Sequence, residues 1–119
     1  MIKNSKNQNE TDVIFEGLRT LEAILSTVKD AVKIIKQYEN KALRLSLKNY
    51  NAIKNNLYFM TMSYNKICDD TEKLARVLMV IGEIPEKKFK AAIEMVDTKR
   101  QAYLAFKRSQ PDYIKKLMA

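Results

Sequence analysis

The chain has no histidine and no tryptophan, and only two glycines, two prolines and one cysteine among 119 residues. Without histidine the commonest general base is missing, and with it every Ser-His or Cys-His nucleophile and the Glu-x-x-His motif of di-iron bundles. Two glycines cannot build a Walker loop or a dinucleotide fingerprint. A lone Cys68 makes no internal disulfide and, with no histidine beside it, no typical zinc site, which points to a reducing, cytoplasmic setting. The longest purely apolar run, Val77 to Ile81, is far short of the roughly 20 residues a membrane span needs. The leading MIKNSKNQNET carries no apolar centre of the kind a secretory signal has. Read together, these absences describe a non-enzymatic protein with no cofactor, no metal, no transmembrane segment and no evident small-molecule substrate.

What the chain does contain is Ala, Leu, Ile, Lys and Glu with few residues that stop a helix, the composition of an all-α fold. Its length fits one domain, divided here into a flexible polar arm over residues 1–10 and a single helical domain over 11–119. Thr11 or Asp12 can cap the first helix. Ile14, Leu18, Leu21, Leu25, Val28, Val32 and Ile35 alternate spacings of four and three, and Gly17, Ile24, Ala31 and Tyr38 widen that seam on one flank. This predicts a helix of about 27 residues, roughly 40 Å long. The heptad phase slips near Glu39 and Asn40, which predicts a turn with Asn40 as a left-handed C-cap.

A second seam follows, with Tyr50, Leu57, Tyr64, Thr71 and Leu78 interleaved with Ile53, Met60, Ile67, Leu74 and Ile81. Asp69-Asp70-Thr71-Glu72 has the form of a capping box that would divide residues 41–82 into two stacked helices, but the unbroken phase favours one helix, bent if anywhere near Cys68. Gly82-Glu83-Ile84-Pro85 ends it. A third helix, about 85 to 109, places Phe89, Ala92, Val96, Tyr103 and Phe106 on one stripe, interrupted by Lys99. Pro111 opens a short last helix whose apolar side holds Tyr113, Ile114 and Leu117. The expected architecture is an antiparallel bundle of three long helices plus a short C-terminal helix.

The net charge of +8 is uneven along the chain: zero over residues 1–39, +5 over 40–68, −3 over 69–86 and +6 over 87–119. Residues 41–66 contain no Asp or Glu at all. Part of that stretch is the apolar seam, and a lysine-over-arginine excess of 17 to 5 is also what an AT-rich genome would produce. The remainder is a polar row, Lys41, Arg44, Lys48, Asn51 and Asn55, spaced so as to share one helical face and able to meet phosphates. A second basic group in the C-terminal third includes Lys87, Lys88, Lys99 and Arg100, which helical spacing does not gather on one side.

Two functions compete on these residues. In the first, the bundle oligomerises or joins a larger complex and touches DNA or RNA non-specifically through its lysine-rich faces. In the second, it is an adaptor, chaperone or inhibitor without nucleic acid. Its partner, a helix or another copy, would then bind at the seam of Leu57, Met60, Tyr64, Ile67, Leu74 and Leu78.

Overall fold

In the computed structural model the described residues are 2–119, with side chains described from Val13 onward. The chain forms α1 (Ile2–Glu39), α2 (Leu47–Val80), α3 (Glu86–Arg108) and the short α4 (Asp112–Lys115). The three long helices pack against one another as an up-down-up antiparallel bundle, and α4 folds back over one end. The molecule measures 58 × 26 × 16 Å, with a radius of gyration of 17.8 Å, against about 13.5 Å for a compact domain of this length. No described helix is long and apolar enough to cross a membrane. The expected polar arm over 1–10 and helix start at Thr11 or Asp12 are replaced by helix, since α1 already runs from Ile2 through both residues.

The α1 seam is buried as its spacing predicts: Ile14, Leu18, Leu21, Val28, Val32 and Ile35 face the core, and Leu25 lies half-buried beside them. On α2 one of the two expected rows is correct and the other is replaced. Tyr50, Leu57, Tyr64, Thr71 and Leu78 are buried, but the row beside them is Thr61, Cys68 and Ala75 rather than Ile53, Met60, Ile67 and Leu74. Small side chains let α3 and the C-terminal segment approach closely. There Thr61 Oγ1 accepts from the Ala119 N–H at 2.8 Å, and the Arg100 charge reaches Cys68. The bulkier row pads the flank half-buried, and Ile81 is left 61% exposed. Between α1 and α2 the approach is tight at Gly17, where a Cβ would sit 2.8 Å from Thr71 Oγ1.

α2 is unbroken through Asp69 and Asp70, so the acidic cluster caps nothing. Instead Arg100 of α3 reaches across to Asp69 at 2.5 Å and Glu72 at 2.8 Å, while Asp70 pairs with Lys66 one turn back. A shared phase persists because Tyr64 and Tyr103 fill the centre of the bundle with ring centroids 5.3 Å apart. Both phenols find carbonyl acceptors: Tyr64 donates to Lys99 O at 2.5 Å and Tyr103 to Ala119 O.

α1 and α2 end in the same turn. Gly82, at φ 80, donates its N–H to Met79 O, and Glu83 donates to Leu78 O, the paired bonds of a Schellman motif. At the end of α1 the same pattern runs from Lys41 to Tyr38 O and from Ala42 to Gln37 O, with Lys41 at φ 62. The left-handed position therefore falls on Lys41, one residue after the expected Asn40. α2 begins only at Leu47, where Ser46 supplies the cap by accepting from the Asn49 N–H at 3.1 Å. Residues 41–46 are consequently a connection and not the first turns of a helix.

Candidate nucleic-acid interface

That boundary changes the predicted basic row. Lys48, Asn51 and Asn55 are exposed on α2, but Lys41 and Arg44 lie in the connection before it and share no helical face with them. Lys41 and Arg44 instead border a concavity of about 610 Å³ with Tyr38, Leu43 and Leu45. Behind it the Tyr38 and Tyr50 rings stack at 3.8 Å, and Lys54 Nζ sits 4.7 Å from the Tyr50 centroid. The Tyr50 hydroxyl donates to the Glu39 carboxylate. Burial, then that carboxylate, pushes its pKa well above the ordinary phenol value, so it remains a neutral donor.

The other predicted residues divide between two places. Lys87 and Lys88 stand in the first turn of α3, at the opposite end of the bundle. Lys99 and Arg100 sit near its middle and are occupied: Lys99 bonds Glu22 at 2.5 Å, and Arg100 holds Asp69 and Glu72. The Lys99 bond and charge hold the Glu22 carboxyl below its usual value. These two cations tie α3 to α1 and α2. Of the seam residues, Leu57, Tyr64 and Leu78 are spent in the chain's own core, whereas Met60, Ile67 and Leu74 lie half-buried against it.

Folding gathers charge in a way no linear segment shows. Gly17 against Thr71 and Tyr38 against Tyr50 give the antiparallel register of α1 and α2. Glu22 with Lys99 and Lys29 with Phe106 give the parallel register of α1 and α3. A plane across the bundle therefore passes between residues 25 and 26, 62 and 63, and 102 and 103. On one side, residues 26–62 and 103–119 carry eleven basic and three acidic residues, a net +8. On the other, residues 13–25 and 63–102 carry nine of each sign and are neutral. Every cation that pairs with a carboxylate side chain among the described residues lies in the neutral half.

The basic pole also contains residues that the linear reading did not single out. Lys29, Lys33, Lys36 and Asn40 follow at spacings of four, three and four, one line along α1. Their spacing was visible, but the acids elsewhere in residues 1–39 cancel them in a segment count. On the other side of the bundle, α1 and α2 leave a groove of about 530 Å³ lined by Ile24, Ala31, Ile34, Ile53, Phe59 and Met60. Asp30 is the one charged residue lining it, and Phe59 is 55% exposed at its edge. No family model, curated protein or solved structure matches the chain.

Proposed function

We propose that the chain is a non-enzymatic, cytoplasmic helical-bundle subunit that meets nucleic-acid phosphates non-specifically through its basic pole. The observation behind this reading is the concentration of the net charge in one half of the molecule, on cations that pair with no carboxylate side chain among the described residues there. Such a surface neutralises phosphates and releases their counterions with little need for a fixed geometry. Mobility shifts across a salt series test it. Affinity should fall steeply between low and moderate salt, and Arg44→Glu combined with Lys48→Glu should weaken binding at least on the order of tenfold and flatten the salt slope by about 1 per lost contact. Lys87→Glu with Lys88→Glu, at the neutral end, should change little. Absence of a shift at low salt, or equal loss in both double variants, would overturn the proposal.

A second reading, an interaction module, draws on the groove between α1 and α2. Depletion of charge around exposed apolar side chains is the composition of an interface core. The occupant we assign is a second copy: packed antiparallel across this face, two copies place their basic poles at opposite ends and avoid repulsion between them. Light scattering should then give a dimer whose mass barely responds to salt and which Phe59→Lys returns to monomer. A wild-type monomer at high concentration would refute this.

A further inference from the structure

Beside the stripe of Lys29, Lys33 and Lys36, the end of α3 leaves a groove of about 390 Å³, with Phe106 and Gln110 on its far wall. That size is within the range of small-ligand sites. The groove joins two features. Its aromatic wall is the half-buried Phe106, whose ring face holds a cation, Lys29 Nζ at 5.7 Å from the centroid, a place that a planar group takes by displacing the lysine. Gln110 is only 7% exposed. Its Nε2 donates to Phe106 O at 3.1 Å and to Ser109 Oγ at 2.9 Å. Its Oε1 has no donor, and it is the one buried side-chain polar atom among the described residues left in that state. A buried acceptor of this kind is costly to leave unmet, and a ligand bearing N–H groups relieves it.

We infer that this groove seats an unpaired stretch of single-stranded nucleic acid, an inference that rests on the basic-pole reading and names its ligand class. Successive phosphates run along Lys29, Lys33 and Lys36, which recur every roughly 5 Å up the helix. One base stacks on Phe106, displacing the lysine from the ring, and presents its N–H edge to Gln110 as that side chain turns into the groove. A duplex is the poorer ligand for the same residues. Its bases are stacked and their pairing edges consumed, so it reaches the lysines but neither Phe106 nor Gln110.

The experiment uses the full chain at low salt with a labelled mixed-sequence DNA strand, free or annealed to its complement. The single strand should bind at least about fivefold tighter than the duplex, which is the lower end of what one base–aromatic stack contributes. Phe106→Leu, which keeps apolar volume, should erase that preference while leaving duplex affinity unchanged, and Phe106→Tyr should restore it. Lys33→Glu with Lys36→Glu, both outside the core, should weaken single-strand binding on the order of tenfold or more without altering the circular-dichroism melt. If neither form binds, the basic-pole reading falls and this inference with it. If both forms bind equally and only the Arg44 and Lys48 reversals matter, the pole reading stands and the groove is refuted. Unaltered single-strand affinity in the Lys33 and Lys36 variant refutes it too, whether or not the Phe106 variants fold.

Discussion

Replacing Lys41 with glycine should make the bundle more stable although it deletes a side chain and adds no contact. Lys41 occupies the left-handed position of a Schellman turn at φ 62, and its counterpart at the end of α2 is Gly82 at φ 80. For an L-residue this conformation costs roughly 1–2 kcal/mol through the approach of Cβ to the neighbouring carbonyl. Glycine avoids that cost but loses about 0.5–1 kcal/mol through its freer unfolded chain. The net expectation for Lys41→Gly is therefore a gain of about 0.5–1 kcal/mol. Gly82→Ala is the mirror experiment. A Cβ there meets nothing within 4 Å, so its expected loss of about 1 kcal/mol is purely conformational. With an unfolding entropy of about 2.1 cal/mol/K per residue, 1 kcal/mol moves Tm by about 4 °C in a chain of this length. Thermal melts by circular dichroism, repeated in urea to check that the denaturant slope is unchanged, measure both. A Lys41→Gly protein that melts lower than the parent would refute the reasoning, because it would require the Lys41 side chain to stabilise the fold by more than its backbone costs.

Three further outcomes follow from the core. Cys68 is fully buried and burial pushes its thiol pKa up, so a thiol reagent should label it no faster than the bundle opens, whereas rapid labelling of the folded protein would contradict its placement. The buried Tyr64 phenol is pushed up to about 12 from an ordinary 10.0, chiefly by desolvation. Because the unfolded tyrosine ionises first, its contribution is complete below about pH 10 and lost as pH rises toward 12. Stability should decline across that window, and less so in Tyr64→Phe. Arg100→Met keeps the aliphatic stem but breaks the bonds to Asp69 and Glu72; the pair is partly exposed, so a loss of about 1 kcal/mol is expected in urea melts. The same substitution should leave the salt slope of nucleic-acid binding unchanged, and a flattened slope would return Arg100 to the interface.

The α1 seam was legible because its core positions are large aliphatics recurring at four and three. The α2 core was only half legible for a related reason. Ile53, Met60, Ile67 and Leu74 look like a seam by hydrophobicity, whereas Thr61, Cys68 and Ala75 are chosen for smallness, and smallness matters only once another helix is known to lie close. The start of α2 was missed because a sustained heptad phase says nothing about where a helix begins. Ser46, with its hydroxyl accepting from Asn49 N–H, was the available signal. Asn40 and Lys41 show the complementary limit: the preference of Asn for left-handed backbone is smaller than the geometric demand of a chain that must turn one residue later. The charge pole could not be read at all from consecutive residues, since it joins the end of α1, the start of α2 and the end of α3.

Whether this pole is more than a by-product of lysine-rich composition depends on which sign of charge is unevenly placed. The two halves are nearly equal, 54 residues in the basic one and 53 with described side chains in the neutral one, and a compositional bias toward lysine acts on both. Basic residues are indeed spread almost evenly, eleven against nine. Acidic residues are not: three stand in the basic half and nine in the neutral half. Helix dipoles do not call for this. Two C-terminal ends and one N-terminal end meet at the pole, a net of roughly half a negative charge, which one cation offsets. The neutral half, moreover, carries the ion pairs that bind α3 to its neighbours, which give Glu22, Asp69 and Glu72 structural work. Nothing in the packing of the basic half forbids carboxylates on its exposed positions, among them Asn51, Asn55 and Asn56. The pole therefore arises from acids withheld, not from bases added, which is the asymmetry that the proposed polyanionic partner requires.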